Sequence, residues 1–84
     1  MVWPEWWYWE LEISPHIEKR MLLRNFNEID LRSMLSQGVS YENDSEEGRF
    51  LVKTKYRRRN WEIIVEPDYE ERVLVIITVY SPEG

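Results

Sequence analysis

The sequence predicts an α+β domain in which an N-terminal strand and a two-helix hairpin pack on an antiparallel sheet that ends in a three-stranded meander. Three observations indicate this order: an alternating stretch near the N-terminus, two capped helical segments in the first half, and three alternating stretches in the second half. With 84 residues, the chain is expected to form one domain that spans positions 1–84.

The first strand is predicted over Trp7 to Ile13, because bulky apolar side chains alternate there with Tyr8, Glu10 and Glu12. Residues 1–6 are expected to form a loose or tacked-down terminus before this strand. The density of tryptophan has two explanations. The rings either contribute to the core or form a surface for a partner or a second copy.

The first helix is predicted to begin after Ser14, a favourable N-cap, with Pro15 at the first helical position. These two residues fix the register of the following turns. Positions i, i+4 and i+8 form a polar stripe of His16, Arg20 and Arg24. Beside it lies an apolar stripe of Ile17 and Met21 with Leu22 and Leu23.

A second helix is predicted from Glu28 to about Gln37, because Asn27 and Asp30 have the spacing of a capping box and Gly38 suits the position after a helix end. Its apolar stripe consists of Ile29, Leu31, Met34 and Leu35. The polar segment from Val39 to Glu47 is expected to be a loop.

Three strands complete the prediction, over Gly48–Tyr56, Trp61–Glu66 and Arg72–Tyr80, with a turn over Arg57–Asn60 and a tight connection that starts at Pro67-Asp68. The last strand is apolar on both faces, which is typical of a central or covered strand. Alternation assigns Val73, Val75, Ile77 and Val79 to one face, and Leu74, Ile76, Thr78 and Tyr80 to the other.

The charges are unevenly distributed along a chain whose formal charge is −5. The segment Lys53–Arg59 carries five cations and no acid, whereas Glu42–Glu47 carries four acids and no base. The cationic segment is either a solvated hairpin tip or a surface that attracts RNA.

Composition also limits the chemistry that this chain can perform. It has no cysteine, one histidine and no acid cluster at ligand spacing, so neither a metal site nor a cofactor is predicted. The longest apolar run, Val73–Ile77, has five residues and is too short for a membrane span. The N-terminus lacks the basic and apolar pattern of a signal peptide, so a cytoplasmic location is expected.

Several segments resemble a family of small uncharacterised bacterial domains that is grouped with the RelE/ParE toxin superfamily. They are Trp9-Glu10-Leu11-Glu12, Ser14-Pro15-His16-Ile17-Glu18-Lys19-Arg20-Met21, Asp30-Leu31-Arg32, Gly48-Arg49-Phe50, Trp61-Glu62-Ile63-Ile64-Val65-Glu66-Pro67-Asp68 and Thr78-Val79-Tyr80. The resemblance implies a helical hairpin on an antiparallel sheet. In several members of the superfamily this fold is a metal-independent ribonuclease, often neutralised by an antitoxin partner. Those ribonucleases are typically basic, and this chain is acidic overall.

The resemblance places the family's prominent helix residues at His16 and Arg20, its strand-start arginine at Arg49 and its last-strand threonine at Thr78. Cleavage of RNA without metal needs a proton-transfer group and cations around the phosphate, so these four residues are the candidate catalytic set. The candidate phosphate- or RNA-binding residues are Arg24, Lys53, Lys55, Arg57, Arg58, Arg59 and Tyr80. The opposing interpretation is structural: each arginine pairs with an acid, and the histidine is a surface residue.

A second function of a different class is a protein-interaction module. In this interpretation the Trp-rich first strand, or an exposed sheet edge, pairs with a partner or forms a homodimer. A monomer and a homodimer both fit the sequence.

Overall fold

The structure is a computed structural model that describes residues 3–38 and 40–83. In chain order these residues form a 3₁₀ turn (Glu5–Tyr8), β1 (Glu10–Ile13), α1 (Pro15–Leu23), α2 (Glu28–Ser36), β2 (Ser40–Asn43), β3 (Phe50–Tyr56), β4 (Arg59–Asp68) and β5 (Val73–Tyr80). The predicted α+β class is therefore confirmed. No helix in these two ranges has the length and apolar character needed to cross a membrane.

The strands form one five-stranded sheet in the order β1-β5-β4-β3-β2. The pairs from β2 to β5 are antiparallel, as expected, but β1 lies parallel to β5. The prediction of a purely antiparallel sheet is wrong at this pair. The reason is non-local: β1 pairs with the last strand of the chain rather than with a neighbour in sequence.

The N-terminal segment differs from the predicted long strand. Trp6 and Trp7 are consecutive and both about 2% exposed, whereas a strand would direct neighbouring side chains to opposite faces. The 3₁₀ turn directs both rings into the core, so the strand begins only at Glu10. In the described part of the terminus, residues 3–6, Trp6 is buried and Trp3 packs against the core, in agreement with the tacked-down alternative. For Trp6 and Trp7 the core explanation of the tryptophan density is confirmed.

Gly38 follows α2 as predicted, but for a different reason. A Cβ atom on Gly38 would lie 2.7 Å from the ring of Trp7, so a side chain there would collide with the core. The same region is held by Arg32, whose guanidinium donates hydrogen bonds to the carbonyl oxygens of Trp7 (2.9 Å) and Trp9. The 3₁₀ turn is therefore anchored to α2.

Both helices begin as the sequence predicts. The Ser14 hydroxyl accepts a hydrogen bond from the Ile17 N–H at 3.2 Å, and Asn27 and Asp30 form a reciprocal capping box. The apolar stripes are narrower than predicted, because Ile29 is 79% exposed. Leu22 and Leu23 are also exposed, at 59% and 75%.

The segment predicted as a polar loop contains a strand. β2 pairs with β3, with Tyr41 opposite Val52 and Glu42 opposite Leu51. Its sequence is polar because it is an edge strand with little burial, which conceals the strand signal. Val39, the first residue of the predicted loop, lies outside the described residues. Gly48, predicted to start the next strand, adopts φ 84° in the turn before it.

A bulge in β5 changes the predicted faces of this strand. Ile64 pairs with Thr78 and the next residue, Val65, with Ile76, so Ile77 is an extra residue. Before the bulge, Ile76 is buried with the core. After it, Val79 is buried and Thr78 faces away. Simple alternation assigned these faces the other way round after Ile76, because it cannot register an inserted residue.

Packing is one-sided: α1 contacts β5 and α2 contacts β3 on the same face of the sheet. The core residues are Trp6, Trp7, Ile17, Met21, Phe26, Leu31, Met34, Leu35, Val52, Trp61, Ile63, Val65, Leu74, Ile76 and Val79. The opposite face carries no described element and consists of half-buried side chains between charged ones. We term it the open face.

Candidate functional site

A cationic cleft lies between the C-terminal end of α1 and the hairpin that joins β3 to β4. Its volume is about 380 Å³, and its walls combine arginines with aromatic rings: Arg24, Phe26, Tyr56, Arg57, Arg58, Arg59 and Trp61. Four of the seven RNA-binding candidates from the sequence therefore line one site. We term it the cationic cleft.

The hairpin turn holds two of these arginines in an unusual backbone conformation. Tyr56 pairs with Arg59, which leaves Arg57 and Arg58 as the two turn residues, with φ values of 52° and 65°. A two-residue turn with two positive φ values favours Asn-Gly, because a left-handed conformation costs other residues about 1–2 kcal/mol each. Strain of this kind concentrates at functional sites.

Polar contacts attach the turn to the segment between the two helices. The Arg57 guanidinium donates a hydrogen bond to the carbonyl oxygen of Asn25 at 2.9 Å, and its Cζ lies 5.0 Å from the ring centroid of Tyr56. The Tyr56 hydroxyl donates a hydrogen bond to Asp30 Oδ1 at 2.6 Å. This bond raises the pKa of Tyr56 and lowers the pKa of Asp30 from their ordinary values. Arg57 is thus largely a structural residue.

The floor of the cleft is aromatic. Phe26 and Trp61 meet edge to face, with ring centroids 5.3 Å apart, and both are buried. The Arg24 guanidinium lies over the Trp61 ring, with Cζ 6.0 Å from its centroid. Trp61 Nε1 is the one buried side-chain polar atom without a hydrogen-bond partner in residues 3–38 and 40–83. An apolar floor under guanidinium groups lowers the local dielectric and strengthens their attraction for an anion.

The cleft contains both free and neutralised cations. Arg24, Arg58 and Arg59 form no ion pair with any residue that the structure describes, whereas Arg57 Nη2 lies 4.0 Å from Asp30 Oδ1. The capping box already engages Asp30, through the N–H of Asn27. Three guanidinium groups are therefore available to a ligand.

Two of the four catalytic candidates lie beside this cleft on α1. Arg20 and Arg24 line a narrow hollow with Phe26 and Val79 that continues from the cleft along the helix. His16 is exposed on the same stripe, about 12 Å from Arg24 along the helix axis. It lies outside the cleft itself.

The other two catalytic candidates lie elsewhere. Arg49 Nε donates a hydrogen bond to Glu66 Oε1 at 3.0 Å, and Nη1 lies 3.8 Å from Glu46 Oε2. Arg49 is also about 26 Å along the strand from Arg57. Thr78 pairs with Ile64 and faces the open face, away from the helices. The structure does not bring the four catalytic candidates into one cleft, and the chemical role of each stays a prediction.

The remaining binding candidates lie outside the cationic cleft. Lys53 Nζ is 3.5 Å from Glu42 Oε1, and both lysines of β3, Lys53 and Lys55, line a separate hollow of about 320 Å³. The Tyr80 hydroxyl donates a hydrogen bond to Glu62 Oε1 at 2.5 Å. This bond raises the pKa of Tyr80 to about 12, so the hydroxyl is already engaged.

The sequence predicts the charged residues of the cleft but not the aromatic residues that form its floor. The sequence pattern assigns no role to Phe26 and makes Trp61 the first residue of a strand, yet both form the floor. The sequence does contain a signal for Trp61. It follows the run of arginines by two residues and therefore lies at the same end of the sheet as they do. The contact of Asp30 with the hairpin had no local signal.

Comparison with known proteins places the chain in one family. A model of a domain of unknown function, DUF4258, matches residues 13–81, which include both helices, β2 to β5 and the whole cationic cleft. No significant match is found among curated proteins or among solved structures.

Proposed function

The chain belongs to DUF4258, a family of domains of unknown function, and from the cationic cleft we propose that this domain binds single-stranded RNA. The observation that carries the proposal is the convergence of Arg24, Arg58 and Arg59 at one cleft, with no ion pair to any described residue. The domain would be RelE-like in using this fold to contact RNA.

Guanidinium groups suit this ligand because each can donate two parallel hydrogen bonds to a phosphate. Their planes can also stack on bases that are not paired in a duplex. The half-buried ring of Tyr56 at the same cleft offers a further stacking surface, and Trp61 beneath is too buried to stack directly.

The overall charge of −5 does not oppose this proposal. In physiological salt, charges separated by more than about 8 Å are largely screened, so the local cations decide the interaction. Besides Asp30, one acidic side chain lies beside the hairpin: Glu83 Oε2 accepts a hydrogen bond from the Asn60 N–H at 2.5 Å. That bond engages one oxygen of the Glu83 carboxylate. The single negative charge of Glu83 stands against the three positive charges of Arg24, Arg58 and Arg59.

Binding is favoured over cleavage by the positions of the catalytic candidates. Arg49 is paired with acids and Thr78 faces the open face, so neither supports a phosphate held in the cleft. His16 and Arg20 lie closest to the cleft, along α1. Metal-independent cleavage and an antitoxin-like partner stay predictions of the family resemblance.

The test measures the affinity of a short fluorescein-labelled oligouridine by fluorescence anisotropy at physiological salt, where the charges distant from the cleft are screened. We expect the wild-type domain to bind and the Arg24→Ala/Arg59→Ala variant to bind about a hundredfold more weakly, because two phosphate contacts worth about tenfold each are lost. The matched control is Lys19→Ala/Arg72→Ala, which makes the same change in charge at two exposed residues outside the cleft.

Thermal unfolding shows whether each variant is folded. Absence of RNA binding by the wild-type domain would refute the proposal, and so would equal losses in the two double variants. The same samples on a denaturing gel, in the presence of EDTA, show whether the RNA is also cut.

A further inference from the structure

The edge strand β1 has two chemically different sides. Its register with β5 pairs Leu11 with the buried Leu74 and Ile13 with the buried Ile76, so both apolar side chains face the helices. Glu10 and Glu12 consequently point to the open face and are exposed. Among the described strands β1 pairs only with β5, which leaves its outer backbone edge without a partner strand.

A groove with a mixed apolar and acidic lining runs along the helix side of this edge. It consists of two adjoining hollows of about 370 and 540 Å³ that share Leu11 and Glu28. Leu22 of α1 and Ile29 of α2 line its walls and are 59% and 79% exposed. Such exposure of large aliphatic side chains beside a free strand edge is typical of a contact surface.

The charges around this groove are acidic. Glu18 and Glu28 line it from the helices, Glu10 borders it from β1, and none of these glutamates, nor Glu12, forms an ion pair with a described residue. The one cation in the lining, Arg32, already donates its hydrogen bonds to the carbonyl oxygens of Trp7 and Trp9. Because three glutamates and one arginine line the groove, its net charge is negative, and a partner for this surface must supply positive charge.

We propose that the outer edge of β1 binds an extended basic peptide in which lysine or arginine alternates with apolar residues. Added as a strand, such a peptide directs its basic side chains to Glu10 and Glu12 and its apolar side chains into the groove beside Leu11 and Ile13. A second copy of this chain is a poorer occupant, because pairing of two β1 edges would place acid opposite acid. The partner is thus a different protein with a basic, alternating segment.

This surface is distinct from the cationic cleft. Glu18 and Leu22 line the groove, whereas Arg20 and Arg24 line the hollow on the other flank of α1. Peptide binding and RNA binding can therefore be tested separately, and the failure of one says nothing about the other.

The experiment measures the binding of two labelled peptides, one alternating lysine with valine and one alternating glutamate with valine. We expect the lysine peptide to bind wild type at least tenfold more tightly than the glutamate peptide. Glu10→Lys/Glu12→Lys should reverse this preference, because it exchanges the charges that face the added strand. The matched control, Glu46→Lys/Glu47→Lys, makes the same charge change in the β2–β3 connection at the opposite edge of the sheet and should leave the preference as in wild type.

Strand addition is tested by a lysine peptide in which proline replaces two of the valines. Proline cannot donate to a strand ladder, so this peptide should lose binding. The proposal is overturned if the lysine peptide does not bind, if the proline peptide binds equally well, or if both double variants change the preference alike. Dimerisation of the free domain through β1, detected by light scattering and abolished by Glu10→Lys/Glu12→Lys, would also overturn it.

Discussion

Replacement of Arg58 by glycine should make the domain more stable and a weaker RNA binder at the same time. Arg58 is exposed, has φ 65° and forms no ion pair with a described residue. Its side chain therefore contributes little to the fold, while its backbone is strained. The sequence retains a cation where glycine is favoured, which is the reason to expect opposite effects on stability and binding.

The magnitude follows from two terms. Relief of the left-handed conformation is worth about 1–2 kcal/mol, and the greater freedom of glycine in the unfolded chain costs about 0.5–1 kcal/mol. The midpoints of these two ranges differ by about 0.75 kcal/mol, a net gain that should raise Tm by about 3–6 °C in a domain of this size. Loss of one charge-assisted phosphate contact should weaken RNA binding by about tenfold.

Two variants separate strain from charge. Arg72→Gly removes the same charge and relieves the same kind of strain, because Arg72 also has a positive φ, of 55°. Arg72 lies far from the cleft, in the β4–β5 connection at the other end of β4. It should gain stability and keep its RNA affinity. Arg58→Lys keeps the charge and the strain, so it should differ little from wild type in Tm. Circular dichroism and fluorescence anisotropy measure the two effects. The reasoning is refuted if Arg58→Gly is destabilised, or if Arg72→Gly loses as much RNA affinity.

Three further predictions concern other parts of the molecule. Gly38→Ala should lower the free energy of unfolding by about 1–3 kcal/mol, because its Cβ would lie 2.7 Å from the Trp7 ring, and an unchanged denaturation midpoint would contradict this contact. His16→Ala should leave RNA affinity within about twofold, since His16 lies about 12 Å from Arg24, and a tenfold loss would extend the site along α1. The hydrogen bond to Glu62 raises the pKa of Tyr80 to about 12, so the folded state keeps a proton that the unfolded chain loses near pH 10. The stability from this bond is present below about pH 10 and is lost as the pH rises towards 12, which chemical denaturation at several pH values measures. Tyr80→Phe should lose less stability over this window, and an equal loss in both proteins would contradict the assignment.

Local patterns predicted the local parts of this fold. Ser14 and Asn27 marked the starts of both helices correctly, because capping depends on contacts within one turn. The meander strands were also found, since alternation reports a half-buried face directly. The cationic segment was recognised as a hairpin, and its arginines do lie at one cleft.

Features that depend on distant partners were not predictable in this way. The parallel pairing of β1 with β5 and the strand β2 are decided by partners far along the chain. The extra residue Ile77 reverses the alternation of side chains in the rest of β5. Thr78 therefore lies on the open face and not on the face that α1 covers. For Arg49 the structural alternative, pairing with an acid, agrees with its ion pairs to Glu66 and Glu46, but spacing in sequence alone does not identify Glu66 as the partner.

The most direct test of the central claim is the indole N–H signal of Trp61 in a ¹H–¹⁵N NMR titration with oligouridine. Trp61 Nε1 has no hydrogen-bond partner in the described structure and lies in the floor of the cationic cleft, so its signal reports on the ligand there. We predict that this signal moves, together with the amide signals of Arg24 and Arg59. The indole signals of Trp6 and Trp7, which are buried elsewhere in the core, should stay in place. Binding that moves signals of the open face or of β1 while the Trp61 signal stays fixed would contradict the account.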